Sequence, residues 1–283
     1  MTCIGCGNSS LILYTKKSRM NLPIYLCKVC NLYISGNSET EISSTIKCEY
    51  NSPLKENLKK IIDNDFNTSR GEYIKNHSKS QYRWCEPHYN RMKDFLEIGA
   101  GAGWALRMFE KQGFNVIGID LNHNCVEFIN KKLKNGKCIY GFWEDIQFDQ
   151  KFDIIWVNHV FEHVINPDFF LKKCYQYLHD DGFIFIAVPN CENPKILRDS
   201  ISENTSTFHY SRNALEKIAS NTGFRIVKFA YMRELYKFEG GFHRRLEKYA
   251  KFINQRFCPY YPFKNARSRN GIEMRLLLKK IIM

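Results

Sequence analysis

The sequence predicts an α/β fold, a mostly parallel sheet with helices on both faces, preceded by a small cysteine-rich unit. Three observations carry that prediction. Four apolar runs suited to buried strands, at residues 95–98, 116–119, 152–157 and 182–188, alternate with helical patterns. The first run ends in a glycine turn, Glu97-Ile-Gly99-Ala100-Gly101-Ala-Gly103, that leads directly into a helix. The chain also opens with two Cys-x2-Cys pairs separated by twenty residues.

The composition agrees. At 283 residues, with 44% hydrophobic and 25% charged side chains, the chain can bury a core, and global disorder is excluded. No stretch reaches the ~18 apolar residues that cross a bilayer. The start, Met-Thr-Cys-Ile-Gly-Cys, lacks the basic-then-apolar layout of a secretory signal. A cytoplasmic location is therefore expected, with reduced thiols, so eleven cysteines are not a disulfide framework. The net charge of +13 calls for an anionic partner: nucleic acid, a membrane face or an acidic substrate. Residues 225–283 carry fifteen basic side chains against four acidic ones, a surplus of +11. The other 224 residues hold only +2.

Taken in order, Cys3, Cys6, Cys27 and Cys30 form two tight knuckles whose thiolates suit tetrahedral Zn²⁺. No ligand position is left open, so residues 1–35 are expected to form a zinc ribbon with a structural Zn²⁺. Residues 36–92 are polar and read as a linker with N-terminal helices, one from Pro53 to about Asp63. From residue 93 to 283 strand and helix signals alternate. After residue 230 come a basic aromatic helix near 241–257 and a last strand near 272–278. Asp120 ends the second strand, where a carboxylate can accept both hydroxyls of a ribose.

These residues together resemble the class I S-adenosylmethionine-dependent methyltransferases. The resemblance covers about residues 93–230 and the last strand. It implies a Rossmann-like seven-stranded sheet and S-adenosyl-L-methionine as cofactor. Glu97, Gly99, Ala100, Gly101 and Gly103 then match the first motif, and Asp120 with Leu121 the ribose end. Gly141-Phe142-Trp143 matches the segment beside adenine, and Asn158 the methionine pocket. Core packing is the other reading of Phe142 and Trp143.

The block Asn158-His159-Val-Phe-Glu162-His163-Val resembles the fourth motif of sugar, quinone and small-molecule methyltransferases. On a helical turn His159, Glu162 and His163 would share a face. A histidine oriented by a carboxylate suits a general base for a hydroxyl acceptor. Two His and a Glu also suit a divalent cation, although His159 replaces the Glu that metal-binding relatives carry there. The remaining reading is that Glu162 and His163 brace the fold. His209 resembles a histidine preceding the helix that ends at Gly223, and it is expected at the same pocket.

A basic aromatic insertion at about 232–270 interleaves Arg244, Arg245, Lys248 and Lys251 with Phe242, Tyr249 and Phe252. It suits an anionic small-molecule or saccharide substrate, nucleotide-linked or phosphorylated. The pattern also suits RNA, by stacking and phosphate contact. The expected reaction is O-methylation of a sugar. RNA methylation is the alternative within enzymes, and a non-catalytic cofactor-binding module the alternative outside them.

Overall fold

A computed structural model describes residues 2–36, 56–234 and 263–282. The N-terminal unit contains β1 (Leu11–Thr15), β2 (Ile24–Cys27) and β3 (Tyr33–Ser35). Two helices follow, α1 (Glu56–Asp63) and α2 (Ser69–Cys85). The alternating region then runs β4 (Asp94–Ile98), α3 (Trp104–Lys111), β5 (Asn115–Asp120), α4 (His123–Lys132), β6 (Lys137–Tyr140) and β7 (Phe152–Asn158). It continues through α5 (Pro167–Tyr177), β8 (Leu178–Pro189), α6 (Pro194–Ser202), β9 (Phe208–His209) and α7 (Arg212–Asn221). The last strands are β10 (Phe224–Glu234), β11 (Phe263–Ala266) and β12 (Glu273–Lys280).

The main sheet has the order β11-β10-β12-β8-β7-β4-β5-β6. Strands β4 to β8 are parallel, and β12, β10 and β11 extend the β8 edge antiparallel. Ile154, Ile155, Trp156 and Val157 of β7 and Phe183 to Val188 of β8 are all buried, because helices cover both faces of these central strands. Helix starts are set by polar caps: Asn122, Asn166, Asn193 and Ser211 each accept from a backbone N–H of the first turn.

The sheet has eight strands, one more than the seven expected. The chain between β10 and β12 returns to the sheet edge, and β11 pairs with the far end of β10, from Tyr231↔Ala266 to Glu234↔Phe263. The basic aromatic helix expected near 241–257 lies outside the described residues. No helix among the described residues is long and apolar enough to cross a membrane.

The N-terminal unit is stitched into the main body. Strand β3 pairs with β9, giving a second sheet of order β1-β2-β3-β9. Ser211 Oγ donates to the carbonyl of Cys30 at 2.6 Å. Cys3, Cys27, Leu32 and Ile34 share one buried cluster with Leu96, Phe161 and Leu215. A unit of some thirty residues is too small to bury a core alone, and here it borrows one.

Candidate active site

The parallel strands deliver their C-terminal ends to one cavity of about 680 Å³, where ligands of open α/β sheets bind. All ten residues expected at the cofactor line its wall: Glu97, Gly99, Ala100, Gly101, Gly103, Asp120, Leu121, Phe142, Trp143 and Asn158. The turn after β4 needs its glycines. Gly99, Gly101 and Gly103 have φ of 73°, 56° and 74°, in the left-handed region that side chains avoid. A Cβ on Gly99 would stand 2.2 Å from Val160 Cγ2, whereas one on Gly101 would meet nothing within 4 Å, so a ligand can approach there.

Asp120 closes the turn. Its Oδ2 accepts from Gly101 N at 2.7 Å and its Oδ1 from Asn122 N at 2.8 Å. Burial raises its carboxyl to about 6, with these backbone donors opposing. Glu97 is also buried, and its Oε2 finds no partner among the described residues. Burial holds its carboxyl well above the usual range.

Phe142 and Trp143 sit on the loop after β6, and that loop is tied down by Lys173 of α5. The buried ammonium donates to the carbonyls of Trp143, Glu144 and Ile146, at 2.8, 2.9 and 2.6 Å. It also lies 5.0 Å from the Trp143 ring centroid. Trp143 is itself buried against Phe170 and Tyr177, so it packs as core while bordering the cavity.

The far wall carries the histidines. His159 follows β7 with φ of 54°, a conformation rare outside glycine and asparagine. The block is not an α-helical turn as expected: only Phe161–His163 forms a single 3₁₀ turn. The left-handed His159 and that turn nonetheless bring the three side chains together. His159 Nδ1 is 3.4 Å and His163 Nε2 3.8 Å from Glu162 Oε1. The other nitrogen of His163, Nδ1, lies 3.0 Å from the Thr205 carbonyl.

His159 makes a second ionic contact that the sequence did not suggest. Its Nε2 is 2.9 Å from Oε2 of Glu273, at the start of β12. Burial alone would lower this imidazole, but Glu162 and Glu273 override it and raise it to about 10. Glu273 also contacts Arg275, and its Oε2 lies 2.6 Å from His77 Nε2 of α2. Although burial opposes it, Arg275 and the two histidines hold Glu273 ionised, well below the usual carboxylate range. Gln81 Nε2 donates to Asn158 Oδ1 at 2.6 Å, joining α2 to the end of β7.

His209 is not at this cavity, which corrects the sequence expectation. It is buried in β9, with Nδ1 2.8 Å from Ser200 Oγ and Nε2 3.4 Å from Ser35 Oγ. Burial lowers it to about 3, so it is a neutral bridge between the N-terminal unit and α6. The trio of His159, Glu162 and His163, which the sequence left open as a cation site, is not among the clusters found. Among the described residues, the groups whose ligand atoms lie within 4.8 Å of one another are His77, His159 and Glu273, and Cys3, Cys6, Cys27 and Cys30.

Helices α1 and α2 and the loop between them add Leu58, Phe66, Arg70, Tyr73, Ile74 and His77 to the wall. The sequence reading made this stretch a linker with N-terminal helices, and its helix from Pro53 to about Asp63 corresponds to α1. The buried face of α2 holds His77, Ser78, Ser80 and Gln81, so no apolar periodicity announced it. The one usable signal was the N-cap Thr68, which accepts from Gly71 N.

In the N-terminal unit, Cys3 and Cys30 Sγ are 3.4 Å apart, and Cys6 and Cys27 Sγ 3.5 Å. A tetrahedron of ~2.3 Å Zn–S bonds has edges of about 3.8 Å, so small shifts would seat an ion.

The model of a family described as a methyltransferase domain matches residues 68–228. A ubiquinone biosynthesis O-methyltransferase of Pelagibacter ubique is 30% identical over 132 residues, covering 44% of this chain and 55% of that enzyme. A malonyl-[acyl-carrier protein] O-methyltransferase of Calditerrivibrio nitroreducens is 27% identical over 150 residues, 52% of this chain and 57% of that one. The chain thus spans about half the length of these relatives. In fold it is similar to a SAM-dependent methyltransferase from Archaeoglobus fulgidus, with a TM-score of 0.55 at 19% identity over 78% of this chain and 98% of that one. The plantazolicin methyltransferase BamL, solved with a triazolic desmethylPZN analog and SAH, gives 0.55 at 15% identity, over 86% and 99%.

Proposed function

The chain belongs to the methyltransferase-domain family, and on that premise we propose that it moves a methyl group from S-adenosylmethionine to a hydroxyl of a small acceptor. The observation that carries the proposal is the convergence of the glycine turn, Asp120 and the histidine wall on one cavity. The cofactor side fits the group. The unpartnered, buried Oε2 of Glu97 suits its ammonium, and the open backbone at Gly101 admits its close approach. Asp120 would take the ribose hydroxyls, and Phe142 and Trp143 would border the adenine. When bound, the sulfonium supplies an already activated methyl, which leaves alignment and proton removal to the protein.

His163 is the general base of this reading. The Thr205 carbonyl selects the tautomer protonated at Nδ1, which leaves the Nε2 lone pair to accept a proton. His159 is unsuited to that step because its two carboxylates keep it protonated. Its positive charge instead favours the anionic form of a hydroxyl beside it.

The saccharide acceptor expected from the sequence leaned on a basic segment that lies mostly outside the described residues. The relatives' names refer to ubiquinone biosynthesis and a malonyl acyl-carrier protein. The described wall pairs apolar Leu58, Phe66 and Ile74 with exposed Arg70, whose guanidinium stands 4.9 Å from the Tyr73 ring centroid. An acceptor with an apolar body, a reactive hydroxyl and an anionic group suits that wall better than a bare sugar. In the N-terminal unit we assign a structural Zn²⁺ to Cys3, Cys6, Cys27 and Cys30.

The test is calorimetry with S-adenosylhomocysteine, followed by turnover on hydroxylated aromatic acids, nucleotide sugars and RNA fragments at two salt concentrations. Binding with turnover on the aromatic acids supports the reading. Turnover only on nucleotide sugars, or on RNA with steep salt dependence, would transfer the acceptor to those classes. Absence of S-adenosylhomocysteine binding would make the chain a non-catalytic interaction module with the cofactor-shaped fold.

A further inference from the structure

We infer that His77, His159 and Glu273 form a binding site for a divalent first-row transition-metal ion on the acceptor side of the cavity. The three residues come from separate elements: α2, the end of β7 and the start of β12. Their ligand atoms, two imidazole Nε2 and one carboxylate oxygen, converge within 4.8 Å of one another. Both nitrogens approach the same oxygen, Glu273 Oε2, at 2.6 and 2.9 Å. The carboxylate is oriented from behind, because Arg275 contacts its other oxygen and also donates to Ser80 Oγ at 3.0 Å. An outer-shell donor of this kind fixes a ligating carboxylate. His77 and His159 line the cavity, so an ion held by them would lie at its wall.

A second observation concerns the hydrogen atoms. His77 Nε2 lies 2.6 Å from the Glu273 carboxylate and 3.3 Å from Gln81 Nε2, an amide donor. A protonated Nε2 suits the carboxylate but opposes the amide N–H. An unprotonated Nε2 suits the amide but sets its lone pair against the carboxylate. Turning the Gln81 amide keeps its bond to Asn158 only if the Asn158 amide turns with it. Gln81 Oε1, meanwhile, is buried and finds no partner among the described residues. An ion bound by Nε2 and Oε2 removes the repulsion between the two lone pairs, since both atoms then present them to the same cation, and the Gln81 amide keeps its bond to Asn158 Oδ1. The ion would take the place of the proton shared between His159 and Glu273.

Two imidazoles and one carboxylate with open positions suit Mn²⁺, Fe²⁺ or Zn²⁺ rather than Ca²⁺, which prefers oxygen ligands. This set shares only His159 with the His159, Glu162 and His163 trio that the sequence left open as a cation site. Glu162 stands on the opposite ring nitrogen, Nδ1, where it orients the ligand. Resting on the methyl-transfer reading, the role of the ion is to bind the acceptor hydroxyl and ease its deprotonation toward His163.

The test uses the full chain after mild chelation, titrated with Mn²⁺ and followed by electron paramagnetic resonance and calorimetry. Mn²⁺ is chosen because four thiolates discriminate against it. We expect about one Mn²⁺ per chain, with affinity weakened at least about tenfold in His77→Ala. Glu273→Gln should behave likewise, and His163→Ala should retain the ion. Circular dichroism and S-adenosylhomocysteine binding report whether each variant is folded. If Glu273→Gln does not fold, His77→Ala decides. Intact S-adenosylhomocysteine binding without Mn²⁺ binding at millimolar concentration would overturn the metal site and leave the methyl-transfer reading standing. Equal Mn²⁺ affinity in His77→Ala and the parent would overturn it as well. Loss of S-adenosylhomocysteine binding in the parent would instead strike the methyl-transfer reading, while Mn²⁺ binding still reports on the metal site.

Discussion

His163 Nδ1 lies 3.0 Å from the carbonyl oxygen of Thr205, and the opposite ring nitrogen stands 3.8 Å from Glu162 Oε1. A backbone carbonyl can only accept, so the contact places the imidazole proton on Nδ1 and the lone pair on Nε2. His163→Ala should therefore lower kcat by about 10² to 10⁴ while leaving S-adenosylhomocysteine affinity near that of the parent. Single-turnover kinetics with calorimetry separate the two, and an active variant would return His163 to a bracing role.

Asp120 makes cofactor affinity depend on pH. Burial raises its carboxyl to about 6 in the free protein, and the ribose hydroxyls need the carboxylate form. The Asp120 contribution to affinity should be full well above pH 6 and fall by about tenfold per unit as pH drops below it. Glu97, also raised by burial, adds a step of its own in the same direction. Asp120→Asn should weaken binding and remove the step near pH 6 from a calorimetric pH series, leaving that of Glu97.

Gly99→Ala tests the turn. The new Cβ would stand 2.2 Å from Val160 Cγ2 at a φ of 73°. Strain and overpacking together predict a loss of about 1–3 kcal/mol in stability and weaker cofactor binding. Thermal melts with and without S-adenosylhomocysteine read both.

Lys173→Met keeps the bulk but removes the donor to three carbonyls. Leaving buried carbonyls unpaired predicts a destabilisation of about 2 kcal/mol or more. Because the loop carries Phe142 and Trp143, KM for the cofactor should rise more than kcat falls. A variant with unchanged KM would make Lys173 a packing residue alone.

Elemental analysis of the purified chain, before chelation, should find zinc that Cys27→Ser removes. The N-terminal unit shares its core with the main body through Cys27, Leu32 and Leu215. Losing the ion should consequently lower the melting temperature of the whole protein. A metal-free chain with an unchanged melt would remove zinc from the account.

Much of the cofactor side was legible because its chemistry is local. Glu97 to Gly103 lie within seven residues, and their left-handed backbone demands glycine wherever the turn occurs. Asp120 sits at a strand end that an apolar run already announced. The acceptor side was poorly legible because its residues come from distant elements. Glu273 and Arg275 look like polar interruptions of an apolar strand, yet they form a buried ion pair. His77 lies on a helix whose buried face is polar, so the 3.6-residue pattern stayed hidden. His209 failed the other way: its neighbours resembled a site segment, but β9 turns its ring toward Ser200 and Ser35.

By itself, then, the sequence determined the alternating fold, the glycine turn with its acid and the four-cysteine cluster. Each rests on short-range spacing that backbone geometry and ligand chemistry constrain. Only the tertiary structure decided the eighth strand, the docking of the N-terminal unit through β9 and the assembly of His77, His159 and Glu273. Those depend on contacts between residues up to 196 positions apart, as between His77 and Glu273, where no local pattern records which side chains will meet.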